Sequence, residues 1–557
     1  MAYQNSKKDI YYPIVIALVL AAGILIGQRF NGKSQKPGTL VYNRTDKLSS
    51  VISYIEEEYV DSISVSTLVE NTIPAILKNL DPHSIYIPAS ELQSVSEPLE
   101  GGFDGIGIQF NMSNDTAVVV NTIKGGPSER LGILAGDRIV KVNGKLIAGV
   151  KFPMDSIPIL LKGPTGTKVK VEIKRKDVDE LIDFEITRDK IPISSVDIAY
   201  MVTPEIGYIK ITTFAKTTYK EFLDAMAKLE SQGMKKLILD LRSNGGGYMD
   251  AATKIANEFL KPNQLIVYTQ GKSRTRQDVY STGTGKYQDI PLQVLIDEFS
   301  ASASEIFAGA IQDNDRGQIV GRRSFGKGLV QEQIFFSDGS ALRLTIARYY
   351  TPSGRCIQKP YTPGDDNYFN DITSRYLHGE FEVADSIQFA DSLKYYTVGG
   401  RTVYGGGGIM PDIFVPLDTN GITPYLQQVS RRNLIYRFAF NFTDQHRKET
   451  RGLKDFTSVD RFLNKFDLLS DFIKFAEQNG VPRNEKEISV SKKILDAQVK
   501  ATIARNIIDN EGFYPYIRNI DETLLKAIGL MEQSVSQPTT SALHRSDNSR
   551  VLNQAQL

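Results

Sequence analysis

The chain has 557 residues and a formal net charge of +1, with 66 basic and 65 acidic side chains. This length predicts three or more domains with an ample hydrophobic core. The sequence contains no basic cluster with interleaved aromatic residues, so nucleic acid binding is not expected. The single cysteine, Cys356, excludes an intrachain disulfide. No cysteine–histidine cluster has zinc-ligand spacing, so we predict neither a metal nor another cofactor.

Residues 10–28 are uncharged and follow two lysines. As a helix they would measure about 28 Å, enough to cross the hydrocarbon core of a bilayer. A cleaved signal peptide is the alternative, but no small-x-small cleavage site follows, which favours an uncleaved anchor. Residues 1–9 would then be cytoplasmic, and a linker over 29–39 would lead to a protein body outside the cytoplasmic membrane.

Residues 40–98 have the spacing of amphipathic helices. One apolar stripe consists of Val51, Ile52, Ile55 and Tyr59, and a second consists of Leu68, Ile73, Ile76, Leu77 and Leu80. We therefore predict an N-terminal helical region, which could simply pack onto the rest of the protein.

A glycine-containing loop and a second block characterise residues 100–190. Gly105, Ile106, Gly107 and Ile108 lead into a predicted strand, and the later block reads LGILAGDRIVKVNG. With these motifs the segment resembles a PDZ domain. The resemblance implies that backbone N–H groups of the loop bind the terminal carboxylate of a peptide, which adds to the sheet as a strand.

Strands and helices alternate over residues 192–416, which predicts an α/β core. The predicted strands are 206–211, 236–241, 292–298 and 317–321, and the predicted helices are 217–232, 248–260 and 302–314. Asp338 and Gly339 separate strand-like segments 331–336 and 341–350, a strong hairpin signal.

Two polar loops follow buried strands of this core. Residues 242–247 read RSNGGG, and residues 299–305 read FSASASE where a strand turns into a helix. Free N–H groups at a helix N-terminus and in a glycine loop can stabilise an oxyanion. A flexible turn and a serine-rich helix cap are the alternatives, and three serines are available as a nucleophile.

Lys327 lies in the motif FGKG, with no carboxylate close in sequence. Burial can lower a lysine pKa by about 3 units, which would let it act as a base beside a serine. A phosphate-binding loop is the rival interpretation, because residues 321–327 fit its first seven positions. Gly328 stands where that motif needs Ser or Thr, and a strand-like segment follows, so both the chemistry and the context fail.

A Ser-His-Asp triad has little support, because the chain has only four histidines, His83, His378, His446 and His544. None lies in a motif-like setting. His83 is the only arguable candidate, and a structural or surface role is its simpler interpretation.

Several segments together resemble the carboxy-terminal processing peptidases, the tail-specific proteases of serine peptidase family S41. They are 240–247, 299–305, 326–331, 349–355 and 405–411, and the resemblance extends from about residue 40 to 417. It implies that Ser302 is the nucleophile, Lys327 the general base, and Gln331 the residue that orients the lysine. It also implies an oxyanion hole formed by the N–H groups of Ala303 and Gly246, although many members have proline where Gly245 stands.

Beyond the resemblance, residues 420–533 have helical spacing, with apolar positions Phe462, Phe466, Leu469, Phe472 and Phe475. We predict an accessory helical region there. Residues 534–557 are rich in Ser, Gln, Asn and Thr, which predicts a disordered tail.

The sequence therefore predicts a multidomain α/β protein with a helical N-terminal segment, a PDZ domain, a Ser/Lys protease core and a helical C-terminal extension. The expected activity is that of a serine endopeptidase acting on protein substrates with free, apolar C-termini, without nucleic acid. The expected location is the bacterial inner membrane, with the catalytic body in the periplasm or extracytoplasmic space. Homo-oligomerisation stays open, and a catalytically silent PDZ scaffold is the alternative function.

Overall fold

The computed structural model describes residues 47–533 apart from 114, 177, 365–366 and 388–390, together with three isolated residues in the segment 17–22. The predicted segments 1–9 and 29–39 and the predicted tail 534–557 lie outside the described residues, as does the predicted anchor 10–28 apart from those three residues. None of the described helices is both long enough and apolar enough to span a membrane.

The chain divides into two compact units, Met1–Ile76 and Leu77–Leu557. In the first, the predicted amphipathic helices are found at Lys47–Glu58 and Val65–Leu77, the latter ending one residue past the division. The prediction of helices alone over 40–98 is incomplete. Within the second unit, a short strand at Ile85–Ile87 precedes a helix at Ala89–Glu100, and this strand pairs with a later strand of the core.

The PDZ-like segment contains a six-stranded antiparallel sheet, a separate antiparallel pair formed by its first and last strands, and two short helices. Its strands are Gly102–Gly105, Ile108–Ser113, Thr116–Thr122, Arg138–Val142, Lys145–Leu146, Lys168–Lys174, Leu181–Thr187 and Asp189–Pro192, and its helices are Pro127–Arg130 and Ser156–Leu161. Among the described strands Ile108–Ser113 pairs with Thr116–Thr122 alone, so it forms an edge of the main sheet. One side of this strand is therefore available for strand addition.

A six-stranded central sheet organises the core. In spatial order its strands are Val196–Met201, Ile206–Ile211, Lys236–Asp240, Leu292–Ile296, Gln318–Gly321 and Ile413–Phe414. The first two are antiparallel and each later neighbour is parallel. The four predicted strands and the α/β character are confirmed, with strand ends differing by up to two residues.

Both faces of the central sheet are covered, which explains the continuous apolar runs of its inner strands. Leu237 and Leu239 face a core formed with the helices Thr218–Ser231, Met249–Asn257 and Ala303–Asp313. Ile238, between them, faces a second core completed by the last helix, Glu522–Gln533.

A second sheet carries the predicted hairpin. Leu329–Phe335 pairs with Ala341–Tyr350, and the latter also pairs with Ile85–Ile87 and Leu265–Gln270, which in turn pairs with Gln277–Tyr280. The hairpin turn at Asp338 and Gly339 is confirmed. After it come a helix at Asp371–Leu377, short 3-10 helices at Tyr368–Asn370, Ala384–Ser386 and Asp391–Leu393, and a strand pair of Lys394–Tyr396 with Thr402–Tyr404.

The predicted accessory region is helical. Its helices are Pro424–Arg431, Leu434–Gln445, Arg447–Thr450, Phe456–Leu463, Leu468–Gln478, Glu485–Ile508, Asn510–Ile517 and Glu522–Gln533, with a 3-10 helix at Arg518–Ile520. Their core contains Phe438, Phe472 and Leu495. We call residues 424–533 the C-terminal helical region.

Candidate active site

The two predicted loops meet at one edge of the central sheet. Lys236–Asp240 and Leu292–Ile296 are parallel neighbours, so the segments after them leave the sheet at the same edge. The Asn244 carbonyl accepts bonds from Ala301 N–H at 3.0 Å and from Ser304 Oγ at 2.9 Å. The glycine loop, residues 243–247, is therefore fixed directly against the serine segment.

The structure distinguishes among the three serines. Ser300 and Ser304 are fully buried, and their hydroxyls donate to the backbone carbonyls of Leu241 and Asn244 at 2.8 and 2.9 Å. Ser302 instead lines a cleft of about 1170 Å³ that also contains Lys327 and Gln331. Ser302 has φ of +56°, a conformation that is strained for a residue with a side chain. The spacing of the sequence left three candidates, and exposure to the cleft favours Ser302.

A buried carboxylate joins the serine segment to the lysine segment. Glu305 Oε2 accepts the N–H groups of Ser302 at 2.9 Å and Lys327 at 2.8 Å. Its Oε1 accepts Gly326 N–H at 2.8 Å and the Ser324 hydroxyl. Burial raises the pKa of Glu305, and these four hydrogen bonds oppose that effect. Sequence reasoning assigned Glu305 no role, although the pattern Ser302-x-x-Glu305 is that of a capping box.

Lys327 and Gln331 are in contact, as the sequence predicts. Lys327 Nζ donates to Gln331 Oε1 at 3.0 Å, and Gln331 Nε2 donates to the carbonyl oxygen of His83. This contact does not arise from alternation along one strand. The strand begins at Leu329, beyond Lys327, and its pairing register shifts between Val330 and Gln331.

The charge state of Lys327 is set by its surroundings. Burial lowers the pKa of its ammonium group, and the positive charge of Arg343 lowers it further. Asp81 and Glu305 act in the opposite direction. The net effect favours the neutral amine that a general base requires.

His83 contributes its backbone to this site, which sequence reasoning did not anticipate. Burial lowers the pKa of its imidazole to about 4, with a further contribution from Lys327. The ring packs edge-on against Phe325 and Tyr368, with Nε2 3.1 Å from the Tyr368 hydroxyl. The imidazole ring of His83 therefore has a structural role in packing, as the simpler interpretation predicts. Its backbone carbonyl positions Gln331.

The two predicted oxyanion donors differ in the structure. Among the described residues no atom accepts a hydrogen bond from the backbone N–H of Ala303, the first residue of its helix. The Gly246 N–H, by contrast, already donates to Asn244 Oδ1 at 2.9 Å, so it is not a free donor. Within the described part of the chain the N–H groups of Gly245 and Gly247 have no acceptor, and both glycines line the cleft.

A glycine at position 246 instead allows the glycine loop to lie close to the serine segment. A Cβ on this residue would lie 2.7 Å from Ser302 Cβ and 2.9 Å from Ala303 N, and its φ is +100°. Any larger residue would therefore push the glycine loop away from the serine segment.

The other motifs of the sequence support the same site. The Tyr349 hydroxyl donates to the carbonyls of Lys327 at 2.7 Å and Ser302 at 3.1 Å. Arg355 and Asp313 form a fully buried ion pair at 2.7 Å that holds the end of the serine helix. Ile409 N–H donates to the Ser324 hydroxyl, the same group that donates to Glu305.

The predicted peptide-binding loop of the PDZ-like segment directly precedes the edge strand. Gly107 has φ of +73°, and the Ile106 carbonyl accepts bonds from the backbone and hydroxyl of Ser128. In the described ranges no atom accepts a hydrogen bond from the backbone N–H groups of Ile106 and Gly107. The loop lies between Gly105, which ends one strand, and Ile108, which begins the edge strand.

Comparisons with known proteins match three parts of the chain to family models. Family models match at residues 105–186 for a PDZ domain, 205–366 for peptidase family S41, and 425–509 for a family of unknown function, DUF8443. The carboxy-terminal-processing protease of Bartonella bacilliformis is 35% identical over 357 residues, 63% of this chain and 80% of that protein. The carboxy-terminal processing protease CtpA of Bacillus subtilis is 34% identical over 353 residues, 63% of this chain and 75% of that protein.

Among solved structures, a photosystem II D1 C-terminal processing protease matches with 25% identity and a TM-score of 0.33. The match covers 68% of this chain and 94% of the other.

Replacing Arg343 by Gln should raise the pKa of Lys327. The substitution removes a nearby positive charge that disfavours the ammonium form, so the charged state becomes more stable. Arg343→Lys keeps the charge and should leave the pKa close to that of the parent protein. The measurement is an NMR titration of the Lys327 side chain. A pKa in Arg343→Gln equal to or below that of Arg343→Lys would contradict this assignment.

Proposed function

The chain belongs to peptidase family S41, the carboxy-terminal processing serine proteases, and carries a PDZ domain; from this premise we propose that Ser302 and Lys327 cleave peptide bonds through an acyl-enzyme. The observation that carries the proposal is the shared cleft. Ser302 lines it together with a buried lysine whose pKa is lowered, whereas the hydroxyls of Ser300 and Ser304 donate to backbone carbonyls.

In the first step Ser302 Oγ attacks the scissile carbonyl carbon as neutral Lys327 takes the hydroxyl proton. Gln331 holds the lysine Nζ in position through the 3.0 Å hydrogen bond. The developing oxyanion would accept the Ala303 N–H and one N–H of the glycine loop, from Gly245 or Gly247.

In the second step the tetrahedral intermediate collapses. The C–N bond breaks, and the Lys327 ammonium returns its proton to the leaving amine. A water molecule then attacks the acyl-serine ester, giving up a proton to Lys327. Release of the carboxylic acid product returns that proton to Ser302 Oγ. Apart from this water molecule, no group outside the chain and its substrate is needed for the balance.

We further propose that the PDZ domain recognises the free C-terminus of a protein substrate. The unpaired side of Ile108–Ser113 can accept the substrate as an additional strand. The N–H groups of Ile106 and Gly107 would bind the terminal carboxylate. Ile108, Phe110 and Met112 are partly buried against the domain core, so an apolar terminal side chain is the expected preference.

The proposed location is the cell envelope, with the catalytic body on the extracytoplasmic side of the inner membrane. This part rests on the sequence of residues 10–28 alone, whose uncharged length suits a bilayer span.

Ser302→Ala and Lys327→Ala should each lower kcat for an unfolded protein substrate by about a thousandfold or more, because each removes one half of the nucleophile–base pair. Lys254→Ala, an exposed lysine on the neighbouring helix Met249–Asn257, serves as the control and should keep the parent rate. Turnover is followed by peptide mass spectrometry under single-turnover and steady-state conditions. Equal cleavage by all four proteins would overturn the assignment.

Amidation of the substrate's terminal carboxylate should raise KM about tenfold and leave kcat nearly unchanged. The PDZ contact is remote from the reacting bond, so it contributes equally to the substrate and transition-state complexes. The comparison uses one peptide sequence with a free or amidated C-terminus. Identical KM values would exclude carboxylate recognition by the PDZ domain while leaving the catalytic proposal intact.

A further inference from the structure

The C-terminal helical region contacts two other parts of the protein. One end lies against the PDZ domain, directly beside the strand that would receive a substrate. The other end lies against the central sheet, at the strand that leads into the glycine loop.

At the PDZ end the contacts are polar. Asn111, on the edge strand, forms a side-chain hydrogen bond with Tyr436. Arg138 pairs with Asp444 at 3.5 Å, and Asp444 also accepts from Arg447 at 3.0 Å. The Arg447 guanidinium lies so close to Gly136 that a Cβ there would be 2.6 Å from it.

These contacts add no strand to the edge of the PDZ sheet. Ile108, Phe110 and Met112 pack against the PDZ core, whereas Asn111 contacts Tyr436 of the C-terminal helical region. The helical region therefore holds the edge strand through Asn111, and the unpaired side of the strand has no strand neighbour among the described residues.

The interface at this end is not close-packed. A cleft of about 630 Å³ separates Gln109 and Asn121 of the PDZ domain from Asn433, Gln498 and Thr502 of the helices. At this end the helical region therefore holds the PDZ domain through the discrete bonds described above. Single substitutions should therefore be able to release it.

At the core end the contacts are buried and charged. Asp521 accepts two hydrogen bonds from Arg242, at 2.8 and 2.7 Å. Arg242 also binds Asp240, the last residue of the strand, and Ser243 of the glycine loop follows directly. Although burial alone would raise the pKa of Asp240, Arg242 and Lys210 hold it well below its usual range.

Further bonds fix the same end to the first strand of the central sheet. Asn510 donates to Asp197 Oδ1 at 2.7 Å and the Tyr514 hydroxyl donates to Asp197 Oδ2. Leu524 and Met531 complete the apolar core on this face of the sheet. This end is therefore rigid, in contrast to the PDZ end.

We propose that the C-terminal helical region is an internal clamp that fixes the orientation of the PDZ domain relative to the protease core. The rigid end is anchored through Arg242 and Asp521, and the releasable end is the Arg138–Asp444–Arg447 cluster with Asn111 and Tyr436. The consequence for catalysis rests on the proposed function: a peptide held by the PDZ domain reaches the catalytic cleft efficiently only while the clamp holds.

The test measures orientation directly. Spin labels are placed at Glu180→Cys on the PDZ domain and Lys254→Cys on the core, both exposed positions, in a Cys356→Ser background of the full chain. Pulsed electron paramagnetic resonance gives the distribution of distances between the labels. The Asp444→Arg substitution puts a third positive charge between Arg138 and Arg447, so it should at least double the width of the distribution.

Two further variants serve as controls. Asp471→Arg reverses an exposed charge elsewhere on the helical region, where Asp471 pairs with Lys474, and should keep the parent distribution. The double variant Arg138→Asp/Asp444→Arg restores opposite charges and should return the width to the parent value. A folded Asp444→Arg protein with the parent distribution would overturn the clamp, as would a double variant as broad as the single one.

If Asp444→Arg does not fold, Asn111→Ala provides the same test by removing the hydrogen bond to Tyr436. Broadening supports the clamp, and an unchanged distribution overturns it. In parallel, the preference for a free over an amidated substrate C-terminus should fall at least threefold in Asp444→Arg. A parent protein without that preference contradicts C-terminal recognition itself, while the distance distribution still decides the clamp independently.

Discussion

The proposed active site depends on one buried carboxylate, that of Glu305. Its Oε2 accepts the backbone N–H groups of both Ser302 and Lys327, at 2.9 and 2.8 Å, so a single atom fixes the distance between the two segments. The same side chain binds Gly326 and Ser324 through its other oxygen. A fully buried carboxylate is costly unless hydrogen bonds satisfy it, and here four donors do so. Serine, lysine and helix N-terminus are thereby held as one unit.

Further contacts position Lys327 within this unit and set its pKa. Tyr349 bridges the carbonyls of Ser302 and Lys327, and His83 orients Gln331, which in turn holds the lysine Nζ. Burial and Arg343 lower the pKa of Lys327, which shifts its protonation equilibrium toward the neutral amine. The rigid scaffold and the lowered pKa together supply what a Ser/Lys pair needs.

Sequence reasoning succeeded where local pattern determines structure. The apolar runs before residues 242 and 299 predicted two buried strands, and parallel pairing then brought their loops together. It failed where contacts of side chains with backbone groups or with distant side chains determine the structure. Gly246 was expected to donate its N–H, but that group bonds Asn244 Oδ1. The His83 carbonyl reaches Gln331 across 248 positions, and Arg242 meets Asp521 across 279; neither pairing leaves a local signal.

The most direct test of this account is the site and pH dependence of labelling by a fluorophosphonate, which phosphonylates an activated serine and releases fluoride. Peptide mapping should place the adduct on Ser302 alone. The labelling rate should fall as pH decreases through the pKa of Lys327, and Lys327→Ala should not be labelled. An adduct on Ser300 or Ser304, or equal labelling of Lys327→Ala, would contradict the account.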